Sequence, residues 1–341
     1  MSTYSGWFVI QRGHPSKALQ LRTGLPIPTK IPKGHVLVQV QAAALNPVGH
    51  KLIAIVPNFV LGGSHRVPEH DVAGIIVDAN SSHFKTGDKV FGTSKYIGTL
   101  TEYAVLPSSC LATVPPNVSA VEAAGMGIVI ATAYQGLVEQ AHLKSGQTVF
   151  INGGSSGVGL SAVQLAKSMG CKVVATASAK NKDTLLGLGV DEFIDYTQAP
   201  LIEQLLAKPR SPKFDVILDA IGLADSGLYL KSKAYLAPGG TYLTVGVFPN
   251  TLAATQGALR QLSEGFLRPS WLGGVPQKCI WLSINFETKD MENVRDLVAK
   301  GAVKPMVDSV YTFDRDGVLK AYEKMMSNRA VGKVVVKVAE E

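Results

Sequence analysis

The sequence predicts an α/β protein in which a β-rich domain precedes a doubly wound parallel sheet of six strands. Three observations predict it. Residues 1–124 read as short strands punctuated by Pro and Gly, the pattern of a small barrel-like β domain. From residue 148 onward apolar strands alternate with helical patterns, as in a parallel sheet with crossover helices. Where that alternation starts, residues 148–159 (T-V-F-I-N-G-G-S-S-G-V-G) join an apolar strand to a helix through a glycine turn.

The elements follow in order. Gly34-His35 leads into a strand over 36–42, and 72–78 is another. Gly87-Asp88 is a turn before Lys89-Val90-Phe91-Gly92, 101–106 is a further strand, and Pro115-Pro116 closes the segment. Ser119 with Glu122 forms a capping box, and Ala123, Ala124, Met126, Ile130 and Tyr134 recur at helical spacing, so 119–139 reads as helix. The sheet strands are 149–152, 172–176, 192–195, 215–219, 241–245 and 278–284, with helices such as 180–188 and 201–208 between them. Residues 249–276 are less regular. They read either as an insertion over the site, lined by Phe266 and Trp271, or as a surface excursion packed on its own aromatics. A helix over 290–300, a strand over 307–313, a helix over 316–326 and a strand over 331–338 are too short for a domain, so this tail is expected to return to the first one.

Composition narrows the function classes. The net charge of +7 is mild, and the densest basic group, Lys208, Arg210 and Lys213, has no interleaved aromatics. A solvated surface is the reading, not a nucleic-acid partner. The three cysteines, Cys110, Cys171 and Cys279, lie far apart without C-x-x-C spacing. That argues against a disulfide scaffold or zinc ribbon and fits a reducing, cytoplasmic compartment. Residues 1–13 lack the pattern of a secretory signal, and no apolar run approaches the roughly 20 residues that cross a bilayer.

The glycine turn carries the first chemistry. Gly153, Gly154, Gly157 and Gly159 let the backbone turn tightly, and free N–H groups at the helix start face a pyrophosphate. Gly154, Ser155, Ser156, Gly157 and Val158 are therefore expected on a dinucleotide. A site for NAD places Asp or Glu at the end of the next strand, to accept from the ribose 2′-OH. Here that end holds Ser178, then Lys180, Asn181 and Lys182, with Tyr196 closing the third strand. Hydroxyl and ammonium groups suit a 2′-phosphate, so NADPH is the expected cofactor; the two lysines also read as an exposed first helical turn. A catalytic zinc needs three ligands and an open position. Glu69-His70-Asp71 offers one His, no loop supplies cysteine partners, and no metal is expected. Gly154-Ser155-Ser156-Gly157 misses the spacing of a nucleophile elbow. Tyr229-x-x-x-Lys233 imitates the pair of short-chain reductases, but their glycine turn lies near the N-terminus, and the pair reads as chance.

Ordered motifs run over nearly the whole chain: Ala44-Leu45-Asn46-Pro47-x-x-x-Lys51, Asp71-Val72-Ala73-Gly74, Gly87 to Gly92, Glu102-Tyr103, Glu122-Ala123-Ala124, Thr132-Ala133-Tyr134, Gly153 to Gly159, Leu188-Gly189 to Asp195-Tyr196, and Gly332-Lys333-Val334-Val335. Together they resemble the zinc-independent medium-chain dehydrogenase/reductase superfamily. Within it the sequence is similar to fungal trans-acting enoyl reductases and related ene reductases, and more distantly to quinone reductases of the zeta-crystallin type. The resemblance implies a GroES-like domain over 1–124 and 286–341, and a Rossmann domain over 125–285, with NADPH in the cleft between them. It implies hydride transfer to the C=C bond of a small enone or enal.

The site residues follow from the same resemblance. Asn46, Val48, His50 and Lys51 line the nicotinamide side, with His50 and Lys51 holding the ribose or the substrate carbonyl. Thr132 faces the nicotinamide; Gly246, Val247, Phe248 and Asn285 flank the ring; Val331 and Gly332 close over it. Phe59, Phe266, Trp271 and Phe286 line the substrate. Each also has a plainer reading: Lys51 as a surface lysine, His50 as a scaffold residue, Thr132 as a hydroxyl back-bonded to its own helix. Two positions depart from the pattern: the usual Asp of the Asn-Pro segment is Gly49, and the usual phosphate-binding Lys is Asn181. The alternatives are a quinone oxidoreductase, a non-catalytic NADPH-binding protein, and a domain that works with a polyketide synthase as partner. A monomer fits, and so does a homodimer paired through the edge strand 278–284 with Trp281.

Overall fold

Val36, Val38, Val40 and every residue from Ala42 to Leu45 are buried along one strand, His35–Leu45, and the first structural unit is built on it. The structure is a computed structural model that describes residues 2–56, 66–94, 98–207, 210–222, 227–245, 256, 259, 263 and 275–340. The chain divides into Met1–Ala131 with Asn285–Glu341, and Thr132–Ile284.

The first unit opens with a hairpin, β1 (Thr3–Val9) and β2 (Leu19–Pro26), joined through the short helix α1 (Pro15–Ala18). β3 (His35–Leu45) runs into the helix α2 (Pro47–Ile55). Then come β4 (Asp71–Asp78), β5 (Lys89–Thr93), β6 (Tyr103–Pro107), β7 (Leu111–Thr113), α3 (Ala120–Ala124) and α4 (Gly127–Tyr134), within which the segment ends at Ala131. The tail adds α9 (Thr288–Ala299), β14 (Val307–Thr312), α10 (Arg315–Met326) and β15 (Lys333–Lys337). β15 pairs antiparallel with the end of β3, Val334 opposite Leu45. The sheet order is β14-β15-β3-β4-β5-β7, with β6 on β3. One core beneath it packs Trp7, Val9, Leu45, Ile53 and Tyr322; a second packs Val38, Ile76, Val90 and Leu106.

The second unit is the doubly wound sheet. Its strands are β8 (Thr148–Asn152), β9 (Lys172–Ala177), β10 (Glu192–Asp195), β11 (Phe214–Asp219), β12 (Leu236–Thr244) and β13 (Lys278–Trp281), all parallel, in the order β10-β9-β8-β11-β12-β13. The helices are α5 (Gly157–Ser168), α6 (Lys182–Gly187), α7 (Leu201–Ala207) and α8 (Gly227–Leu230). Every residue of β8 is buried, and Phe150 stacks on Phe214 of β11 at 5.0 Å. The strand order reverses between β8 and β11, so the carboxyl ends of these two strands mark the switch point where such sheets bind ligands.

Several elements differ from the sequence reading. The helix expected over 119–139 is broken into α3 and α4 and ends in a π-helical turn, Gln135–Gln140. At Gly127, where α4 starts, a Cβ would lie 2.1 Å from Thr93 Oγ1, so the backbone there presses against β5. The strand expected over 278–284 stops at Trp281. The hairpin β1–β2 and the helix α2 were not foreseen; Pro47 reads as punctuation but occupies the first helical position, where its missing N–H costs nothing. Among the described residues no helix is long and apolar enough to cross a membrane.

Candidate active site

The glycine turn is built from below. Thr176, Asn152, Asp219 and Thr244 end the adjacent strands β9, β8, β11 and β12, and all four are buried. Gly153 N–H donates to Thr176 Oγ1 (2.9 Å), and that hydroxyl donates to Asn152 Oδ1 (2.9 Å). Asn152 Nδ2 donates to Asp219 Oδ1 (2.9 Å), whose other oxygen accepts from Thr244 Oγ1 (3.3 Å). A continuous side-chain chain thus fixes the turn to four strand ends, and sequence reasoning missed it. Its signal is a polar residue closing each buried apolar strand.

Gly153 has φ 81°, which favours glycine, and a Cβ on Gly159 would lie 2.1 Å from Gly153 O. Ser156 caps α5, its hydroxyl accepting Gly159 N–H (3.0 Å). Ser155, Gly157 and Val158 are partly exposed, while Gly154 is buried with its N–H on Thr176 O (2.8 Å). The amino end of α5 and the glycines of the turn make a cradle that fits a pyrophosphate.

At the ends of β9 and β10, Ser178 is half-buried, and Lys180, Lys182 and Tyr196 are exposed. Asn181 points inward and is buried. The two lysines are therefore the accessible cations, on either side of a buried amide. Tyr229 is buried, with its hydroxyl on Gln277 O (3.1 Å), while Lys233 lies in an exposed 3₁₀ turn. This pair is architectural.

In the first unit the hub is Asp71, at the start of β4 and fully buried. It collects four donors: Thr93 Oγ1 (2.6 Å) and Ile128 N–H (3.1 Å) on Oδ1, Asn46 Nδ2 (3.0 Å) and Lys333 Nζ (2.9 Å) on Oδ2. Lys333 Nζ also donates to Asn46 Oδ1 (2.6 Å) and Leu45 O (2.9 Å). One carboxylate therefore fixes the amino end of α2, the start of α4 and the start of β15. Sequence spacing gives no hint of it, because Lys333 lies 262 residues from Asp71.

On α2, Gly49 and Ile53 face inward, while Val48, His50 and Lys51 are half-buried. Burial, with the neighbouring Lys51 and His14, pushes the His50 imidazole down to about 4, and its Nδ1 has no partner among the described residues. Burial also pulls the Lys51 ammonium below its usual range. Asn46 turns its carboxamide inward onto Asp71 and Lys333. Thr132 is buried, Asn285 is exposed, Phe286 is half-buried, and Val331 donates its N–H to Asp308 Oδ1 (2.8 Å). Phe59, Gly246, Val247, Phe248, Phe266 and Trp271 lie outside the described residues.

A family model described as alcohol dehydrogenase GroES-like domain matches residues 32–116, and one described as zinc-binding dehydrogenase matches 188–336. The chain is similar to the trans-enoyl reductase pgmF of Aspergillus terreus, 34% identical over 94% of this chain and 92% of that protein. The chain belongs to the medium-chain dehydrogenase/reductase superfamily. It is an oxidoreductase. It is also similar to the NADPH-dependent alkenal/one oxidoreductase of Arabidopsis thaliana, 30% identical over 93% of this chain and 75% of that protein. In fold it is similar to the quinone oxidoreductase of Coxiella burnetii, with TM-score 0.78 and 24% identity over 99% of this chain and 100% of that one.

The superfamily includes zinc enzymes, and the donors here do not fit that ion. Asp71 and Asn46, beside the one histidine of the segment, already hold the Lys333 ammonium, a fixed positive charge that repels a dication. His70 turns Nδ1 to Ser94 O (3.2 Å) and burial lowers its pKa. Among the described residues no three of His, Cys, Asp and Glu come together as metal ligands.

Proposed function

We propose that this oxidoreductase is a zinc-independent, NADPH-dependent ene reductase acting on α,β-unsaturated ketones and aldehydes. The observation that carries the reading is similarity over more than nine-tenths of the chain to proteins named for enoyl and alkenal/one reduction. The exposed Lys180 and Lys182, with no acid at the end of β9, support the phosphorylated dinucleotide over NADH.

NADPH, when bound, supplies a hydride to the electrophilic β-carbon of the substrate. The chain's own residues bind, orient and stabilise. The cradle at Gly153–Gly159 holds the pyrophosphate, and the side-chain chain beneath it keeps that cradle rigid. As negative charge develops on the carbonyl oxygen, a hydrogen-bond donor must meet it. Lys51 is that donor; its partial burial strengthens the interaction and makes its proton easier to release. His50 is neutral at pH 7 and acts as a single N–H donor, holding a ribose hydroxyl or the carbonyl without serving as the acid. Orientation of the two reactants supplies much of the acceleration.

The test is NADPH oxidation with a panel of enones, alkenals and quinones. Turnover of enones and alkenals supports the reading. Turnover of quinones alone moves the protein to quinone reduction. A melting shift with NADPH but no turnover of any acceptor makes it a binding protein. Activity on free enones argues against dependence on a polyketide synthase.

A further inference from the structure

The amino end of α2 is capped in an unusual way. In a capping box the acid at the third helical position reaches back to the N–H of the N-cap residue. Among the described residues this device occurs within two single helices. Glu122 accepts Ser119 N–H (3.0 Å) at α3, and Asp290 accepts Glu287 N–H (2.9 Å) at α9. In α2 the N-cap is Asn46 and the third position is Gly49, which has no side chain; the Asn46 carboxamide makes no cap bond either. Yet Asn46 N–H is bonded, to Glu69 Oε2 at 3.0 Å.

Glu69 stands in the space that a side chain at position 49 would take. A Cβ on Gly49 would lie 2.2 Å from Glu69 Oε1 and 2.7 Å from Oε2. The other oxygen, Oε1, accepts the hydroxyl of Tyr322 on α10 (2.6 Å). To reach this place Glu69 adopts φ 68°, a left-handed backbone that a side chain strains. A glycine would relieve that strain, and a fully buried carboxyl is costly in itself. Strain and burial are both tolerated here, which points to a role for the side chain.

We propose that Glu69 is a positioning residue: it supplies in trans the acid that the capping box of α2 lacks and ties that helix to α10, fixing the placement of His50 and Lys51. Gly49 and Glu69 are then a compensating pair. The acid comes from the loop before β4, and the glycine makes room for it.

A double-variant cycle tests this. Glu69→Gly, Gly49→Asp and the double variant G49D/E69G are compared with the wild type by urea unfolding, and by kcat and KM for NADPH and a small enone. Glu69→Gly leaves two donors unpaired, and Gly49→Asp drives one carboxyl into another. Each single variant is expected to lower the unfolding midpoint and raise KM about tenfold, with kcat changed less. In the double variant the introduced carboxyl caps the helix from its own third position; the midpoint regains most of what the singles lose, and KM returns to within about threefold of wild type. Where a single variant does not fold, Glu69→Gln serves: its carbonyl still accepts Asn46 N–H and its amide donates to Tyr322 Oη. Its KM at pH 6 is expected within about threefold of wild type. A double variant no better than the worse single, singles indistinguishable from wild type, or a Gln variant as impaired as Glu69→Gly each overturn the proposal. The kinetic readout rests on the ene-reductase reading, but the unfolding cycle does not. A protein that turns over no enone while its unfolding cycle still shows recovery refutes that reading and leaves the cap standing.

Discussion

Replacing Glu69 by Gln removes one titration and little else, because Gln copies the shape of the protonated acid. Burial pushes the Glu69 carboxyl from 4.5 up to about 7. The bonds from Tyr322 and Asn46 and the positive charge of Lys333 oppose that rise, while the Asp71 carboxylate adds to it. The sign follows from which state holds the proton. Below 4.5 the carboxyl is protonated in both folded and unfolded chains, and its contribution to stability is intact. Between 4.5 and about 7 the unfolded chain has released the proton while the folded protein keeps it, so stability falls as pH rises. Above about 7 the loss is complete. An interval of this size, at about 1.4 kcal/mol per pKa unit, amounts to about 3 kcal/mol. Urea unfolding of both proteins from about pH 4 to pH 8.5 isolates it, since every other group cancels in the difference. The Gln variant should gain about 3 kcal/mol on the wild type across that range. Parallel profiles, or a gain by the wild type, would refute the argument that burial outweighs the bonds on this carboxyl.

Other outcomes follow from the same geometry. Lys333→Met leaves Asp71 buried without its cation and should cost about 3–5 kcal/mol in denaturant unfolding. Lys180→Ala with Lys182→Ala should raise KM for NADPH roughly tenfold, leave KM for NADH unchanged, and flatten the salt dependence of NADPH binding; equal effects on both cofactors would remove these lysines from the phosphate. His50→Gln should flatten the acid limb of the stability profile. The folded protein holds His50 neutral, so its contribution is present above about 6.5 and lost as pH falls through about 4, which unfolding at pH 4 and pH 7 measures.

The second unit was legible because each signal is local. Its strands are apolar runs, its glycine turn is contiguous, and the first β–α step occupies residues 148–168 without interruption. The first unit was less legible because its site is assembled from distant pieces. Asn46, Glu69, Asp71, Tyr322 and Lys333 show no shared spacing, and only the antiparallel pairing of β15 with β3 brings Lys333 to Asp71. Gly49 stands out in the sequence, but its reason is not legible there, because the compensating Glu69 reaches its place only through a left-handed backbone. α2 was hidden by its own composition, with Pro47 and Gly49 both in its first turn, where Pro fits the backbone and Gly clears room for a buried carboxyl. Buried polar hubs of this kind obey satisfaction of donors and acceptors, a rule that acts in space and leaves no period in the chain.

The central claim is that hydride goes to carbon of a conjugated C=C bond, and isotope tracing reads it directly. The protein is given NADPH carrying deuterium at the transferred position, together with a small enone, and the product is examined by mass spectrometry and NMR. Ene reduction yields the saturated ketone, with one deuterium on the β-carbon and a solvent-derived proton on the α-carbon. An allylic alcohol with deuterium on the former carbonyl carbon, or unlabelled enone recovered while a quinone is consumed, would contradict it.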